Sequence, residues 1–419
     1  MLKKLSIILS LMLLTAPTLA NSTNFDLTKE VENCNKNIAQ SCLKVGIYYS
    51  DFDMKEKAKE YFIQSCNLND GDGCAAVGFQ HYDNEIANAS MRKATDYFQK
   101  AAKLHSAAGL CGLGFIEQFE NGNINEANAY FLQSCNKNYS LGCNRIGINY
   151  LKGNGVKQSS EKAAMFYEKS CSLNNGAACN DLAMLYDEGD GVDKSEKHAL
   201  KLYEKSCQLN QVHGCVNAAH HYENGIGTQK SMNKALKFAK KGCELGDADT
   251  CNAVGIIYEE GKGIKKSTSN AKKFYDKGCS LNNAWACSNY GWISYKEDEK
   301  RVALEYFEKS CMMDTPNPEA CDQVGDMYKA GTSVRQSYVK AIDFYKKACS
   351  LGNASGCSSI ALLYKYGEGV KKSLHKAREY FGKACDLESQ WGCEKYAEIN
   401  KQIGESKGFL DGLYDALKN

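Results

Sequence analysis

Apolar residues along most of this chain fall three and four apart, and the stripes they form return about every 36 residues. One stretch shows the pattern: Ala163, Phe166, Tyr167 and Leu173, followed by Leu182, Leu185 and Tyr186, with polar residues between them. That spacing predicts two successive amphipathic helices rather than a strand, which would alternate residue by residue. An alanine opens each stripe, at Ala58, Ala94, Ala127, Ala163, Ala199, Ala235, Ala271, Ala303, Ala341 and Ala377. Asp26 holds the same place in a degenerate first copy, so the pattern predicts eleven repeats, each a pair of antiparallel helices. A single pair buries too little surface to stand alone. Stacked pairs share a continuous core.

Small residues punctuate the array. Gly or Ala stands at one fixed register late in every repeat, as at Gly147, Ala183 and Gly255. Glycine inside a helix costs about 1 kcal/mol relative to alanine, so its return at one place predicts close helix-helix approach. Between repeats the run Tyr-x-x-Gly-x-Gly recurs, at Gly153 and Gly155, Gly189 and Gly191, Gly225 and Gly227, Gly261 and Gly263, and Gly367 and Gly369. It reads as helix termination by left-handed glycine rather than a phosphate-binding loop. Residues 21–397 are assigned to the array. Residues 398–419, with Phe409, Leu410, Leu413, Tyr414 and Leu417, are assigned to an amphipathic capping helix.

Cysteine follows the same period. Ten pairs stand eight residues apart, or ten in one case: Cys34 and Cys42, Cys66 and Cys74, Cys135 and Cys143, Cys171 and Cys179, Cys207 and Cys215, Cys243 and Cys251, Cys279 and Cys287, Cys311 and Cys321, Cys349 and Cys357, and Cys385 and Cys393. On one straight helix, residues eight apart lie about 12 Å apart along the axis, too far for a disulfide. The intervening segment, such as Leu173-Asn174-Asn175-Gly176, must therefore turn the chain back, and a bridge then clamps the end of one helix to the start of the next. Structural zinc cysteines stand two to four residues apart, and no pair here does. In the third repeat Ala102 and Leu110 occupy the two cysteine registers, which leaves Cys111 as the one free thiol.

Composition changes the picture in two ways. The chain begins with Lys3 and Lys4, an apolar run from Leu5 to Leu14 and small residues at Thr18 and Ala20, which reads as a signal peptide over residues 1–20. No later stretch is long and apolar enough to span a membrane. The 52 basic and 50 acidic residues become 50 and 50 once Lys3 and Lys4 are set aside. Such a balance gives no basic surplus for a nucleic-acid partner. Twenty-one cysteines in an exported chain fit an oxidising compartment, periplasmic or extracellular.

Ala163, Tyr167, Cys171, Leu173, Cys179, Tyr186, Gly189 and Gly191 together carry a resemblance to the Sel-one-like repeat family, relatives of tetratricopeptide repeats. More closely, the chain resembles the Helicobacter cysteine-rich proteins, and the likeness covers about residues 25–397. The resemblance implies an all-α fold, an exported right-handed α/α solenoid of about eleven disulfide-stapled hairpins. It also implies penicillin binding or weak β-lactamase activity, or a secreted factor that meets host cells.

The residues themselves favour a binding scaffold. Ser-x-x-Lys, a β-lactamase element, occurs at Ser90 and Lys93, Ser159 and Lys162, Ser231 and Lys234, Ser337 and Lys340, and Ser373 and Lys376. Each copy falls just before an anchor alanine, where serine caps a helix. The companion Ser-Asp-Asn and Lys-Thr-Gly elements do not occur. Histidines His81, His105, His198, His213, His220, His221 and His375 show no metal spacing, and no cofactor motif is present. Lysines before the anchor (Lys57, Lys162, Lys234) and six residues after it (Lys169, Lys205, Lys241) fall on one helix face, which reads as a solvated basic stripe. The expected partner is a protein, a peptide or a peptidoglycan-derived ligand on the curved face. The alternative is a β-lactam.

Overall fold

The computed structural model describes residues 25–83 and 89–418. The expected signal peptide lies outside the described residues. Among those residues the secondary structure is helical throughout, in 22 helices of which most are 13 residues long, arranged as eleven hairpins of an α/α solenoid. Repeat five is representative, with a first helix Ser160–Ser172 and a second helix Gly176–Glu188. The repeats fall into two compact bodies, one ending at Lys241 and the other beginning at Gly242.

Each turn within a hairpin is built from local chemistry. Asn174 takes a left-handed conformation (φ 62°), and the next residue, Asn175, accepts a hydrogen bond from the Ala178 N–H at 2.9 Å to cap the second helix. Asn69, Asn138, Asn210 and Asn282 repeat the left-handed step. Across the turn Cys171 and Cys179 are bonded, with Cα atoms 4.7 Å apart. The other expected pairs are bonded in the same way. In the first body Cys34 joins Cys42, Cys66 joins Cys74, Cys135 joins Cys143 and Cys207 joins Cys215. In the second body Cys243 joins Cys251, Cys279 joins Cys287, Cys349 joins Cys357 and Cys385 joins Cys393. Across all ten bridges the Cα separations run from 4.5 to 4.9 Å, so in each repeat the turn does bring the two helix ends within bridging distance. The longer turn of repeat nine is absorbed by Asn317, which caps the helix Pro318–Ala330, and the bridge between Cys311 and Cys321 still closes.

The tightest packing lies between repeats rather than inside the stapled hairpins. In the first body Gly78 faces Phe98 and Gly147 faces Tyr167, so that a Cβ on either glycine would stand 2.6 and 2.8 Å from the ring. In the second body Gly255 faces Tyr275 and Gly325 faces Tyr345, with corresponding distances of 2.4 and 2.5 Å. The fixed glycine register is thus the seat of an aromatic ring from the following repeat. Those rings, four residues past the anchor alanine in most repeats, are among the largest fully buried side chains, and each contributes about 2 to 3 kcal/mol by burial.

The second helix of repeat three departs from the pattern. Residues Ala107–Ile116 are α-helical and continue as a π-helical turn, Glu117–Asn121, that ends at left-handed Gly122. With no bridge at its start, this helix carries Cys111, Gly112 and Phe115 into the core. At the far end, the second helix of repeat eleven runs unbroken from Gln390 to Lys418. The segment assigned to a capping helix is thus a backbone extension of the last hairpin rather than a separate element, and its side chains from residue 405 lie outside the described residues.

Candidate functional site

The Ser-x-x-Lys copies resolve into architecture. Ser159, Ser337 and Ser373 each accept the backbone N–H of the lysine three residues on, at 3.2, 3.4 and 3.3 Å. Ser90 makes no side-chain cap. The lysine ammonium groups face tyrosine rings: Lys162 stands 5.2 Å from the Tyr150 ring centre, Lys340 4.7 Å from Tyr328 and Lys376 5.0 Å from Tyr364. The same tyrosines stack on the first helix of the next repeat, Tyr150 on Phe166 at 5.5 Å and Tyr328 on Phe344 at 5.8 Å. In these three copies the motif lysine thus belongs to a lysine-tyrosine-aromatic cluster that joins neighbouring repeats. Repeat six substitutes His198, whose ring lies 4.3 Å from Tyr186.

The later lysines have a different task. Lys205 donates to the Cys171 carbonyl at 2.8 Å and Lys241 to the Gln208 carbonyl at 3.4 Å, each neutralising the C-terminal end of the preceding repeat's first helix. The expected basic stripe is thus two sets of inter-repeat contacts. Of the histidines, His221 is buried, with Nε2 2.9 Å from Asp187 Oδ2 and Nδ1 3.3 Å from the Ile226 carbonyl, while His220 is exposed. Tyr203 donates to the same Asp187 oxygen at 3.0 Å. This group ties repeat five to repeat six. Cys111 is fully buried, and burial pushes its thiol well above the ordinary cysteine range.

What the sequence did not single out is a polar line on the second helices, one and two residues past the second cysteine register. In the first body it comprises Asn144, Arg145, Asn180, Asp181 and Asn217. Asn217 donates to Asn180 Oδ1 at 3.0 Å, and Asn180 donates onward to Asp181 at 3.4 Å. Burial pushes the Asp181 carboxyl up, against the opposite pull of Asn180, His213 and Arg145. Burial also pushes the Arg145 guanidinium down; its plane covers the Phe115 ring at 4.9 Å, and its Nε has no acceptor. In the second body Asn289 donates to Asn252 at 2.9 Å in the same register, and Asp322 stands at the corresponding place in repeat nine. The signal that could have exposed this line is the polar residue in an otherwise apolar second-helix register.

The sequence pattern of the Sel1 repeat matches ten times, over residues 39–70, 72–106, 108–139, 140–175, 176–211, 212–247, 248–283, 286–314, 318–353 and 354–389. The chain belongs to the Sel1 repeat family. Each Sel1 match joins the second helix of one hairpin to the first helix of the next, so eight of the ten bridges link successive Sel1 units and the other two tie the first and last units to the terminal helices. Similar solved structures include the protective antigen c5321 of uropathogenic Escherichia coli, with an SLR fold, at 20% identity over 90% of this chain and 91% of that one, TM-score 0.46. A Sel1 repeat protein of Oxalobacter formigenes is 23% identical over 64% of this chain and 96% of that one, TM-score 0.43. Cysteine-rich protein B of Helicobacter pylori is 27% identical over 32% of this chain and 98% of that one, TM-score 0.27. Comparison with curated protein sequences finds no match. Among the described residues no group of three His, Cys, Asp or Glu side chains is placed to hold a metal, and no helix is long and apolar enough to cross a membrane.

Proposed function

We propose that this disulfide-rich Sel1 scaffold is exported and binds an extended peptide segment along the second helices of repeats four to six. The observation that supports the reading is the amide line of Asn144, Asn180 and Asn217, with Arg145 and Asp181 beside its first two members. A side-chain amide carries two donor protons and two acceptor lone pairs; Asn144 Nδ2 is unpaired, and Asn180 and Asn217 keep capacity beyond the bond they share, so amides at repeat spacing can pair with an extended backbone regardless of its sequence. Arg145 and Asp181 then add charge selection. The same donors suit the peptide stem of a peptidoglycan fragment, which is a second source of the same chemistry.

A β-lactam has no comparable support. The serines of the Ser-x-x-Lys copies that cap helices use their oxygens there, and the lysines beside them face tyrosine rings. Selection from a phage-displayed random peptide library against the purified chain tests the proposal. Enriched peptides that lose affinity in the double variant Asn180→Ala with Asn217→Ala support it. Failure to enrich any peptide, together with turnover of a chromogenic cephalosporin, would replace it with the enzymatic reading.

A further inference from the structure

The first body also holds a pocket of about 540 Å³ beside repeat three, the one described repeat without a cysteine pair. That volume lies within the range of sites that take small molecules or buried side chains. The turn and start of the second helix of repeat three, His105 to Ala108, form part of its wall. Gly112 there leaves no room for a Cβ, which would stand 2.3 Å from the Phe98 ring, and Cys111 beside it is buried. The space left open is walled by Leu43, Ile47, Phe62, Ala76, Leu104 and Tyr139.

Leu43 and Ala76 stand one and two residues past the second cysteines of their repeats, Cys42 and Cys74, in the register that carries Asn144, Asn180 and Asn217 further along. The face therefore changes from apolar in repeats one and two to amide in repeats four to six. At the rim lie Asp70 and Asp72 on the side of repeat two, and Lys137 on the side of repeat four. Asp70 is spent on local structure, accepting from Gln40, Ser65 and the backbone of its own helix. Asp72 is exposed and gives one oxygen to Ser106 at 2.7 Å. The Tyr139 hydroxyl in the wall is buried and makes no hydrogen bond, leaving a donor open.

We propose that this pocket is the anchor site of the peptide partner. It takes one aliphatic or aromatic side chain from a segment in which the neighbouring residue is basic and faces Asp70 and Asp72. The inference rests on the reading of the second-helix face given above and specifies what that face selects. Two carboxylates on one rim favour a cation there, and Lys137 across the opening sets the polarity of the segment.

A short fluorescein-labelled peptide of Ser, Gln and Gly carrying one Lys-Leu pair tests it, alongside versions with the leucine replaced by serine or the lysine by glutamate. Anisotropy titration of the full chain is expected to show the parent peptide binding about tenfold or more tighter than the serine version, the worth of one buried leucine. Ala76→Phe, which fills the pocket, is expected to erase the leucine preference. Leu43→Ser is expected to weaken it, and serves as the second variant should Ala76→Phe melt early. Asp72→Asn, which keeps an acceptor for Ser106 and removes one of the two carboxylates, is expected to weaken the lysine preference. The double variant Asn180→Ala with Asn217→Ala should weaken all three peptides alike. Equal affinity of the three peptides for the unaltered chain, or a leucine preference that survives Ala76→Phe, overturns the anchor while leaving the face intact. No binding of any peptide overturns both.

Discussion

At the scale of single residues, the most informative group outside the proposed face is Asp322. Burial pushes its carboxyl up to about 6, with Asp326 and Glu319 adding to the rise and Ser355 opposing it. A carboxyl raised in the folded state keeps its proton longer there than in the unfolded chain. Its contribution is therefore complete below about pH 4 and lost as pH rises through about 6. Asp322→Asn, a neutral isostere, is expected to match the natural chain in thermal stability below about pH 4 and to exceed it by up to about 3 kcal/mol at about pH 8. Equal melting differences at both pH values would show that burial does not hold the proton. Ser159 supplies a second case. Ser159→Ala is expected to cost about 1 kcal/mol in a denaturant titration through the lost cap, and to leave peptide affinity unchanged.

At the scale of helices and hairpins, two kinds of join hold the array. The bridge closes a short loop and stabilises its hairpin by about 2 to 3 kcal/mol. The glycine seat accepts a ring from the next repeat with no space to spare. Gly255→Val is therefore expected to lower stability by about 1 to 3 kcal/mol or more, in the same range as Cys171→Ser combined with Cys179→Ser, when both are followed by urea unfolding. Because most bridge sulfurs are buried, reductant reaches them after local opening, whereas the pair Cys385 and Cys393 is partly exposed. Mild dithiothreitol followed by maleimide labelling and mass mapping should mark Cys385 and Cys393 first and leave Cys111 unlabelled until the chain unfolds. Much of this level was legible in the sequence. Helical period, asparagine turns, glycine stops and cysteine spacing are local rules that act within one repeat, so each copy announces them again. Which helix pairs pack most closely was not legible, since no spacing says that Gly147 takes its ring from Tyr167 of the next repeat rather than from its own hairpin. The amide line was missed for the same reason: Asn180 and Asn217 are 37 residues apart and meet only once the hairpins stack.

At the scale of the whole molecule, ten bridges and one buried thiol suit an oxidising compartment, outside the cytoplasm or in the periplasm. Within the first body the repeats differ in what they present: apolar residues beside a pocket in the early repeats, and amides with Arg145 and Asp181 in the later ones. Identical hairpins would bind any segment in any register, so such differences are what let a repeat array select a partner. The measurement that bears most directly on this account is the affinity of a library-selected peptide for the natural chain and for the double variant Asn180→Ala with Asn217→Ala, by titration calorimetry, with both chains shown to melt alike. The account predicts about a tenfold or greater loss in the variant, from two side-chain hydrogen bonds to the peptide backbone. An unchanged dissociation constant would contradict it and move the binding face elsewhere.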